Sequence, residues 1–321
     1  MEGNFGFIGL GAMGFPMAEN IRRKMSSSKT MYVYDVYRPS CERFVNELGG
    51  IGPIEIVGSV KDVTENSSVV ISIVPSAEDV RKVFLDGKEG AIAARKDAER
   101  LFLECSTIDA QTTRDVGETL TKAGSGSYID TPVSGGVPGA AAGTLSFLIG
   151  HTDPTDSDPM SKTLATVLAM MGEPKKFFYC GKLGAGLAAK ISNNYLSCTT
   201  LLAVAEAMAI GIRSGIDKDL LYRVIHNSTG QSWMCDNVMP VPGVVPHVPS
   251  SNGYKLGFKS QMMIKDTTLG IDAGHATGIR PVMAEAAVET FKKAAEDPRC
   301  IDRDGSSVYL YITDTKDEDW K

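Results

Sequence analysis

Several patterns are missing from this sequence, and each absence removes a class of function. The four histidines (His151, His226, His247, His275) stand apart, with no H-E-x-x-H or similar cluster, so a metal site has no support. The six cysteines (Cys41, Cys105, Cys180, Cys198, Cys235, Cys300) form no C-x-x-C or paired ligand spacing. Some sit in apolar runs, Cys105 in LFLECS and Cys180 in FFYCG, which reads as buried, reduced thiols in a reducing compartment. Positive charge is not in excess: 33 Lys and Arg face 39 Asp and Glu, a net −6. Nucleic acid is therefore not the expected main partner, although a local basic pocket for a small anion remains open. No run approaches the ~20 apolar residues of a membrane span, so a soluble protein is expected. Internal repeats and low-complexity segments are missing too, and the acidic end, Asp314–Trp320, reads as a frayed terminus.

At 321 residues the chain exceeds the size at which one core keeps growing, and two domains are expected. Through residue 182, apolar β-like runs alternate with helical stretches. The runs are Phe5–Gly9, Met31–Asp35, Ser68–Val74, Arg100–Thr107, Ser127–Val133, Thr144–Gly150 and Lys175–Gly181. Their hydrophobicity is mostly continuous rather than alternating, which suits strands covered on both faces of a parallel sheet. Helical patterns at Ala12–Met25, Ala77–Phe84 and Ala110–Ala123 complete the signature of a doubly wound α/β domain. From residue 183 onward the character is all-helical. Ala185–Ser214 reads as one long buried helix, followed by helical periodicity at Lys218–Asn227, Lys259–Ala276 and Val282–Ala295. Met239–Gly257 is too rich in proline for helix or sheet interior and reads as a surface connector or a functional loop.

Gly9-Leu10-Gly11-Ala12-Met13-Gly14 matches G-x-G-x-x-G between an apolar strand and a helix, the context that gives the pattern its meaning. Gly9 permits the turn, Gly11 lets the backbone approach a pyrophosphate, and Gly14 lets helix and strand pack closely. The helix start then offers N–H groups and a positive dipole end to the phosphates. Asp35 closes the next run about 20 residues on, where an acid accepts from the ribose hydroxyls and repels a 2′-phosphate. This favours NAD over NADP, with Arg38 nearby as the one contrary sign. Val74-Pro75-Ser76 and Ser106-Thr107 end later strands where the same crevice should run, although either can be plain turn chemistry.

Ser134-Gly135-Gly136 follows another strand; consecutive N–H groups there can form a nest for a carboxylate, or simply a capped turn. Lys190 and Asn194 are four apart in the long helix and share a face. An isolated lysine there would snorkel to solvent. Hydride transfer from an alcohol, however, needs a group to take the hydroxyl proton. A desolvated lysine, lowered from ~10.4 toward about 7–8, can do so. Its place at the junction of the two expected domains favours that role, with Asn194 orienting the ammonium or the substrate hydroxyl. Lys265-Asp266 is either a surface ion pair or a lysine reaching cofactor or substrate carboxylate.

Taken together, GFIGLGAMGFPMAENI, DTPVSGG, GAGLAAKISNN and NVMPVPGVVPHVPSSNGYKLGF resemble the β-hydroxyacid dehydrogenase family, most of all its 3-hydroxyisobutyrate dehydrogenase branch, from Phe5 to about Val308. The resemblance implies a Rossmann-type NAD-binding domain over 1–182. It also implies an all-helical substrate and oligomerisation domain over 183–321, in a homodimer or homotetramer. It implies catalysis by Lys190 with Asn194 as helper, a carboxylate grip by Ser134, Gly135 and Gly136, and Lys265 completing the closed site. It adds Val74, Pro75, Asp79 and Thr107 as cofactor contacts. The implied reaction is NAD-dependent oxidation of 3-hydroxyisobutyrate to methylmalonate semialdehyde, a step of valine breakdown. Thr131 stands where relatives commonly carry alanine. The animal members are mitochondrial, which suggests the matrix, with the cytoplasm as the alternative. Two rivals remain: an NADP-dependent reductase of glyoxylate, succinic semialdehyde or tartronate semialdehyde, and a non-catalytic binding protein that kept the fold.

Overall fold

The computed structural model describes residues 3–153, 159–255 and 257–315; the acidic end beyond them lies outside the described residues. The chain divides into two compact units, Met1–Lys190 and Ile191–Lys321.

The first unit runs β1 (Phe5–Ile8), α1 (Gly14–Lys24), β2 (Met31–Tyr34), α2 (Arg38–Leu48), β3 (Ile54–Ile56), α3 (Val60–Glu65), β4 (Val69–Ser72) and α4 (Ala77–Leu85). It continues β5 (Leu101–Glu104), α5 (Ala110–Lys122), β6 (Ser127–Asp130), β7 (Val133–Ser134), α6 (Gly136–Ala142), β8 (Leu145–Ile149), α7 (Pro159–Met171) and β9 (Gly172–Tyr179). The main sheet is six-stranded in the order β3-β2-β1-β4-β5-β6, with every pair parallel. Its central strands, such as FGFI and VVIS, are buried along their whole length, as a sheet covered on both faces requires. One face packs under α1, α2 and α7 through Phe15, Ile21, Phe44 and Leu168. The other lies under α3, α4 and α5 through Val63, Phe84, Val116 and Leu120. The strand order reverses between β1 and β4, which places a ligand crevice at the carboxyl ends of those strands.

The expectation of one parallel sheet fails for its last two runs. β8 and β9 join β7 in a separate three-stranded sheet, where β7 pairs antiparallel with β8. The alternating burial of β8 fits a sheet with one covered face. The edge strand β3 and helices α2, α3 and α7 are additions to the sequence reading.

The second unit takes up α8 (Ala185–Arg213), which begins in the first, followed by α9 (Lys218–His226), α10 (Trp233–Asn237), α11 (Ser260–Ala276), α12 (Val282–Glu296) and α13 (Val308–Thr313). Among the described residues of this unit the only β pairing is one bridge, Lys259 with Asp304. α8, at 29 residues, is long and apolar enough to pass for a membrane span by length and composition. That corrects the expectation that no run reaches that mark. Cys198, Leu201, Leu202, Val204, Ala205 and Met208 instead bury one side of it in the helical core.

The proline-rich stretch is not a surface connector. Met239, Val241, Val245, Val248 and Tyr254 are part of that same core. Proline denies the stretch a ladder of backbone hydrogen bonds, and side chains supply the ties instead. Ser250 Oγ donates to the Met239 carbonyl at 2.6 Å, Ser251 Oγ to Val245 at 2.6 Å, and Tyr254 Oη to Pro240 at 2.8 Å.

Candidate functional site

The glycine loop between β1 and α1 is fixed by contacts that no other residue allows. Gly9 has φ +93°, and a Cβ there would lie 2.1 Å from the Ile73 carbonyl oxygen at the end of β4. A Cβ on Gly14 would lie 1.9 Å from the Gly9 carbonyl oxygen. At Gly11 a Cβ meets nothing within 4 Å, so the backbone there faces open space. The helix is entered from Gly11, whose carbonyl accepts from Phe15 N–H at 3.0 Å. Its regular hydrogen bonding begins at Gly14 rather than at Ala12, because Ala12 and Met13 form the entry turn. Unlike α3, α4 and α5, α1 has no side-chain cap, and unlike α3 and α4 it has no acid in its first turn. A bare helix start keeps its positive end for an anion from outside.

Asp35, just beyond β2, faces this loop. Its Oδ2 accepts from Leu10 N–H at 2.6 Å and its Oδ1 from Tyr37 N–H at 2.7 Å. Each carboxylate oxygen keeps a lone pair for a further donor. At the neighbouring strand ends, Val74 N–H donates to Ser106 Oγ at 2.8 Å, tying the turn before Pro75 to the one before Thr107. Asp79 sits in the first turn of α4, where it accepts from Ser76 Oγ at 2.6 Å while its N–H donates back to Ser76.

Below these turns runs a feature that residue spacing did not reveal. Ser72, Glu104 and Asp130 are register partners on β4, β5 and β6, and all three are fully buried. Glu104 accepts from Ser106 N–H at 2.9 Å. Burial, with the nearby Asp130 charge adding to it, pushes its carboxyl up to about 7 against the help of Ser106. Burial raises Asp130 too, opposed by backbone N–H groups. The sign of the resulting pH effect follows from linkage. Between the ordinary carboxylate range and pH 7, folded Glu104 holds a proton that the unfolded chain has released, so stability falls as pH rises through that window. Glu104→Gln, neutral at every pH, should therefore gain on the parent by up to a few kcal/mol at pH 8–9 and by little near pH 4.5. Thermal melts across that range read it, and a pH-independent difference would refute it.

Asp130 also starts the segment carrying Ser134, Gly135 and Gly136. Gly135 and Gly136 have φ +131° and +61°, a backbone that residues with a Cβ rarely adopt. α6, which they open, has no side-chain cap.

On α8, Lys190 is buried, at 8% exposure. Four residues on, Asn194 Nδ2 donates to Asp266 Oδ2 at 2.6 Å. Lys265 Nζ lies 3.4 Å from the other oxygen of Asp266, which is itself 3% exposed. Lys265-Asp266 is thus no surface pair: α11 joins Asn194, Asp266 and Lys265 in one polar cluster. Among the described residues no group of His, Cys, Asp and Glu is arranged to hold a metal ion. Five of the cysteines are buried, Cys180 is half-buried, and none is in a disulfide.

Two family models match. One, described as the NAD binding domain of 6-phosphogluconate dehydrogenase, covers residues 4–181. The other, described as NAD-binding of NADP-dependent 3-hydroxyisobutyrate dehydrogenase, covers residues 184–312. The chain is 34% identical to the mitochondrial 3-hydroxyisobutyrate dehydrogenase of Rattus norvegicus, over 96% of this chain and 86% of the relative. It is 32% identical to the NAD-dependent L-serine dehydrogenase of Pseudomonas aeruginosa, over 89% of this chain and 90% of that one. A solved structure of Mycobacterium tuberculosis 3-hydroxyisobutyrate dehydrogenase with L-serine superposes with TM-score 0.83 and 32% identity, covering 97% of this chain and 99% of that one.

Proposed function

Because the chain belongs to the 3-hydroxyisobutyrate dehydrogenase family of NAD-dependent oxidoreductases, we propose that it oxidises 3-hydroxyisobutyrate to methylmalonate semialdehyde. NAD, when bound, supplies the hydride acceptor. The chain's residues do the rest. The bare start of α1 and the open face of Gly11 receive the pyrophosphate, and Asp35 accepts from the adenosine ribose. The Val74, Pro75, Asp79 and Thr107 turns line the cofactor's path. Ser134, Gly135 and Gly136 hold the substrate carboxylate. Lys190 takes the hydroxyl proton as the hydride leaves the carbon that carries the hydroxyl, and Asn194 holds the hydroxyl. Lys265, steered by Asp266, supplies positive charge to the bound anions. On this reading the NAD-binding domain runs over residues 1–182 and the all-helical domain, which completes the substrate site and carries oligomerisation, over 183–321.

The observation that carries this reading is Lys190 itself. A lysine at 8% exposure in an apolar helix gives up much of its hydration, and a charge is rarely buried without a use for it. Valine breakdown is the corresponding role in metabolism. The exposed Leu196 and Ile210 on α8 support assembly of a homodimer or homotetramer through this helix. The rat relative's name favours the mitochondrial matrix, and the cytoplasm is the alternative that the bacterial relative suggests.

A second substrate, L-serine, is favoured by the Pseudomonas relative and by the serine-bound Mycobacterium structure. Both molecules are 3-hydroxy acids, and a carboxylate grip treats them alike. A turnover panel of 3-hydroxyisobutyrate, L-serine, 3-hydroxypropionate and glycerate, each with NAD and with NADP, tests the reading. The highest kcat/KM is expected for 3-hydroxyisobutyrate with NAD. Serine in first place would move the substrate assignment, and a preference for NADP would overturn the role of Asp35.

A further inference from the structure

The mechanism above leaves the buried carboxyl of Asp130 without a task, although both of its oxygens are engaged by backbone N–H groups. Its Oδ1 accepts from Gly184 N–H at 2.7 Å and its Oδ2 from Leu187 N–H at 2.9 Å. These donors belong to the entry and first turn of α8, whose N–H groups have no partner within the helix. A carboxylate there also meets the positive end of the helix dipole. The fit is close: a Cβ on Gly150 would lie 1.8 Å from Asp130 Oδ1, and one on Gly186 2.9 Å from its Oδ2. Neither glycine can be larger without displacing the carboxylate. Leu187 stands three residues before Lys190, less than one helical turn. At its other end Asp130 leads directly into Ser134-Gly135-Gly136, and Glu104 backs it from the adjacent strand.

We propose that Asp130 is a positioning residue for the chemistry at Lys190. Its carboxylate clamps the start of α8 and so fixes where Lys190 stands relative to the turn that opens from the same strand end. This rests on the reading of Lys190 as the proton acceptor. Asp130 touches neither substrate nor cofactor in this scheme and acts through the helix alone.

The test uses Asp130→Asn and Lys190→Ala in the full chain, with steady-state kinetics, NAD titration and amide hydrogen exchange. Asn keeps one acceptor oxygen and turns a donor toward the other N–H. The expected result is a kcat lower by about tenfold or more, since small misplacements of a reacting group cost that much. NAD affinity should be kept, and faster exchange should be confined to residues 184–190. Parent-like kcat, or a parallel loss of kcat, NAD affinity and protection throughout the chain, overturns the proposal. Should Asp130→Asn not fold, exchange in the parent decides. The Gly184 and Leu187 amides must then open only with global unfolding, and rapid exchange there overturns the clamp. If Lys190→Ala is inactive and Asp130→Asn turns over normally, the positioning proposal alone fails. If Lys190→Ala turns over normally, the reading of Lys190 fails and the proposal with it.

Discussion

Lys190→Ala should lower kcat for 3-hydroxyisobutyrate by about 10²-fold or more while NAD binding persists, the usual loss when a general acid–base group is removed. The two halves of that expectation come from different parts of the chain. On the proposed reading, cofactor affinity depends on the β1–α1 loop, Asp35 and the ends of β4 and β5, none of which the substitution touches. Proton acceptance depends on a side chain that is buried in α8 and has no backup on the same helical face, where Asn194 cannot act as a base. Single-turnover rates with NAD near saturation separate this from weak binding. Turnover at the parent rate would remove Lys190 from the reaction.

Gly9→Ala should weaken cofactor binding by a different route. A methyl at Gly9 demands φ +93°, and it sets carbon 2.1 Å from the Ile73 oxygen. Left-handed backbone alone costs about 1–2 kcal/mol in a residue with a Cβ. The clash is with backbone just beyond β4, so no side chain can rotate away to relieve it. The loop must move off β4, and Leu10 N–H then leaves Asp35. NAD affinity should fall by at least about tenfold, with a lower melting temperature. Calorimetric titration and a thermal melt measure both, and parent values in each would show that the turn tolerates a side chain.

Much of this was legible in the sequence where chemistry is local. The glycine spacing, Asp35 at a strand end, and the continuous hydrophobicity of β1, β4 and β5 all report on immediate neighbours. β3 escaped because its three residues, IEI, are only half-buried at a sheet edge and carry no distinctive period. The Ser72–Glu104–Asp130 row escaped because register between strands is a tertiary fact: each acid, taken singly, is just the last residue of a strand. For Lys265-Asp266 a surface ion pair and a lysine reaching the ligands both stood open, since nothing at adjacent positions announces an asparagine 72 residues away. The proline-rich stretch misled for another reason. Proline does exclude regular structure, but its valines and tyrosine are as apolar as any helix face and found a core without it.

Asp35 has one more consequence. Its carboxylate braces Leu10 N–H and, on the proposed reading, rejects a 2′-phosphate. Selectivity and rigidity therefore reside in one side chain, and an attempt to re-engineer the enzyme toward NADP cannot simply delete the acid. A replacement has to keep an acceptor in place for the loop, as asparagine or serine would, while Arg38 or a new cation supplies the welcome for the phosphate.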